Sequence, residues 1–167
     1  MFLDESGCNT DMTRRYAYSL GGSRAIDSAP LSKPKNTTIL SSIQLDGTLR
    51  YTTFSGGTTV ERFKRYLETD LLPHLNENSV LIMDNMKSHH AKAVKNLLDS
   101  SGVRYIYLPP YSPDLNPIEK LWSKVKAFLR KFKARTLDAL PNAIQNAFHA
   151  VTVSDCSGWF RFCGYAL

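Results

Sequence analysis

The first half of the chain places short apolar, β-branched segments between turn residues, and this pattern predicts antiparallel strands. Phe2-Leu3 belongs to a first strand that begins almost at the start of the sequence. Residues 8–36 are mostly polar and predict a long connection, with one short strand near residues 16–20. A hairpin follows, with strands at 37–45 and 48–54 around the two-residue turn signal Asp46-Gly47.

After Gly56-Gly57 the apolar spacing changes from that of a strand to that of a helix. The pattern predicts a helix from Val60 to Leu71, a buried strand at 80–83, a helix at 91–98 closed by Gly102, and a strand at 103–108. A strand, a helix and a second strand in this order imply a parallel pair with a right-handed crossover. The fold class is therefore α/β with a mixed sheet.

The clearest predicted element is a helix from Pro117 to about Lys133. Asn116 suits its N-cap and Pro117 its first position. One apolar stripe follows, formed by Ile118, Leu121, Trp122, Val125, Leu129 and Phe132. Further helices are predicted at 136–151 and 154–165.

The composition indicates a single globular domain with a polyanionic partner. The 167 residues are 43% hydrophobic, and the formal net charge is +6. No apolar run approaches the roughly 18 residues of a membrane span, and no signal sequence precedes the first strand, so we expect a soluble, intracellular protein without a membrane partner. The three widely spaced cysteines, Cys8, Cys156 and Cys163, predict buried free thiols rather than a zinc site.

Three carboxylates are the candidate chemistry. Asp4 and Asp84 each follow an apolar run, and Glu119 opens the long helix. Acids at the ends of buried strands are well placed to hold a hard divalent cation, which suggests metal-assisted phosphoryl transfer. Each acid also has a structural explanation: Asp4 could be a turn acid, Asp84 could cap the next helix, and Glu119 could complete a capping box with Asn116.

Other polar groups have similar alternatives. The pair His89-His90 is more typical of a cap or a surface group than of a metal ligand. The long helix has a basic face with no acid between Lys120 and Arg135, which favours DNA contact over a solvated surface. The DNA-binding candidates are Lys120, Lys124, Lys126, Arg130, Lys131 and Lys133.

The combination of motifs is far more specific than its parts. Segment 108–122, with the sequence LPPYSPDLNPIEKLW, resembles the signature of mariner-superfamily transposases, in particular their bacterial insertion-sequence branch. Asp84-Asn85 followed by His89 is similar to the second motif of that family, and residues 3–7 (LDESG) to the first. The 34 residues between Asp84 and Glu119 agree with one major branch.

That resemblance implies a ribonuclease-H-like fold, a five-stranded mixed sheet flanked by helices. The first acid would lie on the central strand, the second just after the fourth strand and the third on a helix after the fifth. Asp4, Asp84 and Glu119 would be the catalytic triad and the ligands of two Mg²⁺ or Mn²⁺ ions, which activate a water or a DNA 3′-hydroxyl and stabilise the leaving oxygen. Asn85, His89 and Asn116 match supporting motif positions.

The implied function is the cleavage and strand transfer of DNA during transposition, with element ends and target DNA as partners and a dimer assembled on the DNA. Family members normally carry an N-terminal helix-turn-helix part. Residues 1–167 are therefore expected to be the catalytic domain without it, joined or accompanied by a separate helix-turn-helix segment. A structure-selective nuclease and an inactive, DNA-binding remnant are the alternatives. The expected location is cytoplasmic, with nucleoid association if the source is bacterial.

Overall fold

The computed structural model describes residues 1–14, 16–31 and 34–165. Its centre is a five-stranded sheet with the strand order β3-β2-β1-β4-β5. The strands are β1 (Phe2–Cys8), β2 (Thr37–Ile43), β3 (Leu49–Ser55), β4 (Val80–Met83) and β5 (Arg104–Tyr107). β1, β2 and β3 are antiparallel, whereas β1-β4 and β4-β5 are parallel pairs. The predicted mixed α/β sheet, with the first strand at its centre, is confirmed.

Two predictions about the strands were wrong in detail. Within the described residues, no strand forms at 16–20, where Tyr16, Tyr18 and Leu20 are almost fully exposed and have no core to pack on. The β2-β3 connection is also wider than two residues. The Gly47 N–H donates to the Gln44 carbonyl, and Gly47 adopts φ +88°, a conformation that glycine takes without a steric penalty.

In the described part of the chain, five α-helices cover the sheet: α1 (Val60–Tyr66), α2 (Lys92–Ser101), α3 (Ile118–Phe132), α4 (Ala139–His149) and α5 (Val153–Phe162). α1 continues into a π-helical turn, Leu67–Leu71, and ends near Pro73 as predicted. Gly102 closes α2 in the left-handed conformation, also as predicted. The helix at 117–133 begins one residue later than expected, because Pro117 rather than Asn116 is its N-cap.

The sheet separates two apolar cores because neighbouring residues of a strand face opposite sides. Phe2 on β1 packs with α3, α4 and α5 on one face. Leu3, the next residue, packs with α1 and α2 on the other face. The same alternation sends Asp4 and Glu5 to opposite faces of the sheet.

The three cysteines are buried free thiols, as expected. Among the helices in the described part of the chain, none has both the length and the apolar character needed to span a bilayer.

Candidate metal centre and DNA-facing surface

The three candidate acids line one cleft of about 410 Å³, which lies at the carboxyl ends of β4 and β5. Asp84 directly follows β4, and Glu119 lies in the first turn of α3, as predicted. Asp4 does not end its strand: it is the third residue of β1, which continues to Cys8. Pairing with Ser41 of β2 holds the Asp4 backbone on one side, and the pairing of β1 with β4 ends one residue earlier, at Leu3.

Asp4 is a buried acid with two hydrogen-bond donors. Its Oδ1 accepts the Glu5 backbone N–H at 2.7 Å, and its Oδ2 accepts the Trp122 indole N–H at 3.1 Å. Burial, together with the charges of Asp84 and Glu119, outweighs the two hydrogen bonds and raises the pKa of Asp4 to about 7.

Asp84 has a different environment. Burial tends to raise the pKa of Asp84, but the hydrogen bond and charge of His89 outweigh this effect and lower it. His89 Nδ1 forms an ion pair with Asp84 Oδ1 at 2.8 Å and lies 3.4 Å from the Asp84 backbone carbonyl, and the Met86 N–H donates to Oδ1 at 3.2 Å. Among the described residues, no hydrogen bond reaches Oδ2, which is therefore available to a further ligand.

Glu119 does not form the alternative capping box. α3 has no side-chain cap hydrogen bond at its N-terminus, and Glu119 is exposed to the cleft. Asn116 is 4% exposed and also lines the cleft, and its Oδ1 has no hydrogen-bond partner among the described residues. The capping explanations are thus wrong for Glu119, and for Asp84 too, since α2 begins with the N-cap Ala91.

The donor set fits a hard divalent cation. Mg²⁺ and Mn²⁺ take oxygen ligands, and Mg²⁺ is usually held by one or two carboxylates with water and substrate phosphate oxygens. In the described residues, no three His, Cys, Asp or Glu side chains are close enough together to enclose one ion by themselves. The shared cleft agrees with an open site of this kind, and there the charges of Asp84 and Glu119 add to the effect of burial in raising the pKa of Asp4.

The prediction that His89 is a cap or surface group was wrong. Its side chain is completely buried and lies between Asp84 and Glu5. His90 is half-buried at the surface and forms a hydrogen bond with Asn85, whose side chain lines the cleft. The family motif had singled out His89 rather than His90, but the local sequence pattern did not show that the His89 ring would be buried.

The basic face of α3 is partly neutralised within the chain. Lys124 pairs with Asp155, and Lys133 pairs with Asp27. The Lys120 ammonium lies 3.9 Å from the centre of the Phe162 ring. No ion pair with an acid is found for Lys126, Arg130 or Lys131 within residues 1–14, 16–31 and 34–165, so these three cations are the best placed to contact an external anion.

Two residues of the site were missed from the sequence. Trp122 was assigned only to the apolar stripe of α3, yet its indole N–H donates to Asp4. Glu5 entered the sequence analysis only as part of the motif at residues 3–7, yet its carboxylate accepts from His89 on the opposite face of the sheet. The period of two along β1 is the signal that separates Asp4 from Glu5.

Comparison with known proteins gives consistent results. The family model described as "DDE superfamily endonuclease" matches residues 1–141. The Tc1 transposase of Caenorhabditis elegans is 31% identical over 97 residues, which are 56% of this chain and 36% of that protein. The Tcb2 transposase of Caenorhabditis briggsae is 32% identical over 75 residues, 45% of this chain and 28% of that protein. The chain thus spans about a third of the length of these relatives.

Solved structures share the fold. The Mos1 transposase in a paired-end complex with the left transposon end superposes with a TM-score of 0.79 at 19% identity, over 96% of this chain and 50% of that one. The catalytic domain of Mos1 mariner transposase superposes with a TM-score of 0.68 at 20% identity, over 78% of this chain and 71% of that one. The expected ribonuclease-H-like architecture is confirmed.

Proposed function

Because this chain belongs to the DDE superfamily endonuclease family, we propose that it is the catalytic domain of a transposase that cuts DNA strands and joins them to a target. The observation that carries the proposal is the shared cleft of Asp4, Asp84 and Glu119, three acids far apart in sequence. The nematode relatives are transposases of transposable elements, and the similarity includes a large part of this chain.

Asp4, Asp84 and Glu119 would hold two Mg²⁺ or Mn²⁺ ions. Bound there, such ions supply an activated water or 3′-hydroxyl and stabilise the leaving oxygen in an in-line displacement at phosphorus. The chain itself orients the acids: Trp122 and the Glu5 backbone fix Asp4, and His89 and the Met86 backbone fix Asp84. Asn85 and Asn116, which line the same cleft, are the proposed supporting groups.

The path of DNA follows from the geometry of α3. Residues seven and eleven positions after Glu119 lie on the same helix face as Glu119, at roughly 10 Å and 16 Å along the axis. These residues are Lys126 and Arg130, both without an acidic partner among the described residues. Phosphates that contact them would lead the strand toward the cleft, which supports DNA as the substrate.

Finer features belong to the same proposal. The segment 108–122 favours the bacterial insertion-sequence branch of the mariner superfamily, and with it a cytoplasmic, nucleoid-associated location. End recognition by a helix-turn-helix segment and a dimer assembled on DNA complete the proposed machinery, with residues 1–167 as the catalytic part. The motif similarity at 3–7, 84–89 and 108–122 supports these assignments.

Nicking of supercoiled plasmid DNA by the chain in Mn²⁺ or Mg²⁺ tests the function. We expect metal-dependent nicks with 3′-hydroxyl and 5′-phosphate ends, abolished by a chelator. Because the proposed chemistry uses an activated water, no DNA should remain attached to protein after denaturation. A covalent protein–DNA product, or nicking that persists in chelator, would contradict the proposal.

The basic surface gives a second test. Replacing Lys126, Arg130 and Lys131 together by Ala should weaken binding to any duplex equally. The slope of log affinity against log salt should become shallower by roughly 0.9 for each phosphate that the variant no longer neutralises. Lys124→Ala is the matched control: it should cost about 0.2–1 kcal/mol of stability through its Asp155 partner and leave the salt slope unchanged. An unchanged slope in the triple variant would show that these three side chains are solvated surface groups that do not contact DNA phosphates.

A further inference from the structure

Three side chains in contact, Glu5, His89 and Asp84, connect strand β1 to the cleft. His89 Nε2 donates to Glu5 Oε2 at 3.2 Å, and His89 Nδ1 lies 2.8 Å from Asp84 Oδ1 as an ion pair and 3.4 Å from the Asp84 backbone carbonyl. Both acceptors are carboxylates, so both ring nitrogens carry protons. Although burial lowers the pKa of His89, its hydrogen bonds to the two carboxylates raise it to about 9.

The His89 ring is held in its orientation by an aromatic neighbour and by hydrogen bonds of its own backbone. The imidazole stacks on the Phe63 ring, with centroids 4.1 Å apart and an angle of 23° between the planes. The His89 backbone is held as well, because its N–H donates to the Met86 carbonyl and its carbonyl accepts from the Tyr107 hydroxyl. A ring fixed by stacking, by its backbone and by Glu5 presents Nδ1 to Asp84 in a constant direction.

The placement of Glu5 has no evident purpose in packing. It lies on the central strand with a side chain only 12% exposed, and its Oε1 is buried without a partner among the described residues. Burying a carboxylate is costly unless it is paired. The only ion pair found for it within the described ranges is with His89, which in turn contacts Asp84.

We propose that Glu5 and His89 form a buried support that positions the Asp84 carboxylate, directing one oxygen inward and leaving the other free for a metal ion. This inference rests on the proposed function, since it assigns the free oxygen to the metal. Glu5 and His89 are positioning residues: neither lines the cleft. Outer partners that orient metal ligands typically change metal affinity by about 10–100-fold when removed.

Two matched substitutions separate positioning from packing. His89→Asn places an amide N–H near the position of Nδ1 and can still donate to Asp84. His89→Gln places its amide near Nε2, so it keeps the Glu5 hydrogen bond and gives up the one to Asp84. Both variants remove the ring that stacks on Phe63, and His89→Asn also leaves the buried Glu5 carboxylate unpaired, so Asn should lose at least as much thermal stability as Gln. Mn²⁺ affinity of the DNA-free protein, measured by electron paramagnetic resonance, should fall about 10–100-fold for Gln and less than about fivefold for Asn.

A second pair leaves the ring in place. Glu5→Ala removes the acceptor that orients Nε2 and should weaken Mn²⁺ binding by about tenfold, whereas Glu5→Gln keeps an acceptor oxygen and should restore most of the affinity. This pair decides the question if either His89 variant fails to fold.

The outcomes are distinct. If wild-type protein binds Mn²⁺ and each pair loses affinity equally, in step with its melting temperature, the two hydrogen bonds serve stability alone and the support is refuted. Unchanged affinity in all four variants also refutes it. If the wild-type protein binds no Mn²⁺ but nicks plasmid in its presence, the metal is not held by Asp84 in the free protein and the proposed support fails while the enzymatic function stands. If it neither binds nor nicks, the proposed function itself fails.

Discussion

Asp84→Asn should reduce Mn²⁺- or Mg²⁺-dependent DNA nicking by about 10³-fold or more. The amide keeps the shape of the carboxylate but removes the negative charge from the oxygen available to a metal ion, and stabilisation by a bound metal is worth several kcal/mol, each 1.36 kcal/mol being tenfold in rate. The measurement is the rate of plasmid nicking at saturating metal, with Asp70→Asn, an exposed acid outside the cleft, as the control.

The thermal stability of Asp84→Asn tests the ion pair between Asp84 and His89. From the sequence alone, Asp84→Asn is predicted to leave folding intact and to relieve repulsion among the clustered acids. The structure predicts the opposite sign, a loss of about 1 kcal/mol, because the variant removes the charge that pairs with buried His89. Full nicking activity by a folded Asn variant would refute the proposed role of Asp84.

Asp4→Asn should stabilise the metal-free protein by about 2 kcal/mol at pH 8 and raise Tm by about 4–8 °C. The pKa of Asp4 is raised from 3.8 to about 7, so the folded protein holds its proton more tightly than the unfolded chain does. Stability from this group is therefore fully present below pH 4 and is lost as the pH rises through 7. The full cost is on the order of 4 kcal/mol, partly offset in the variant because an amide accepts fewer hydrogen bonds.

The pH and metal dependence make this prediction specific. At pH 4 the stabilisation by Asp4→Asn should disappear and the variant should melt no higher than the wild type, because Asp4 is protonated in the folded wild type and only the hydrogen-bond loss remains. At pH 8, Mn²⁺ should raise the Tm of the wild type by mass action and have little effect on the variant. His89 titrates in both proteins, so its contribution cancels in the comparison. A variant less stable than the wild type at pH 8 would show that the buried charge of Asp4 does not destabilise the folded protein.

The order of elements and the identity of the acids could be predicted from local pattern. Strands differ from helices in apolar period, so the β1-β2-β3 meander and the β4-α2-β5 crossover were visible in the sequence. The motif at 108–122 and the positions of Asp4, Asp84 and Glu119 identified the family. The expected strand at 16–20 failed because Tyr16, Tyr18 and Leu20, although apolar, face no core.

What only the tertiary structure decided is the partner of each charged group. Asp4 and Glu5 are neighbours in sequence, but the pleat of β1 sends one to Trp122 and the other to His89. Lys124 and Lys133 belong to a basic face with no acid nearby in the sequence, yet their acidic partners come from segments far away in the chain. Hydrophobic period is a local property of the sequence, whereas charge pairing depends on long-range contacts that exist only once the sheet and helices have packed.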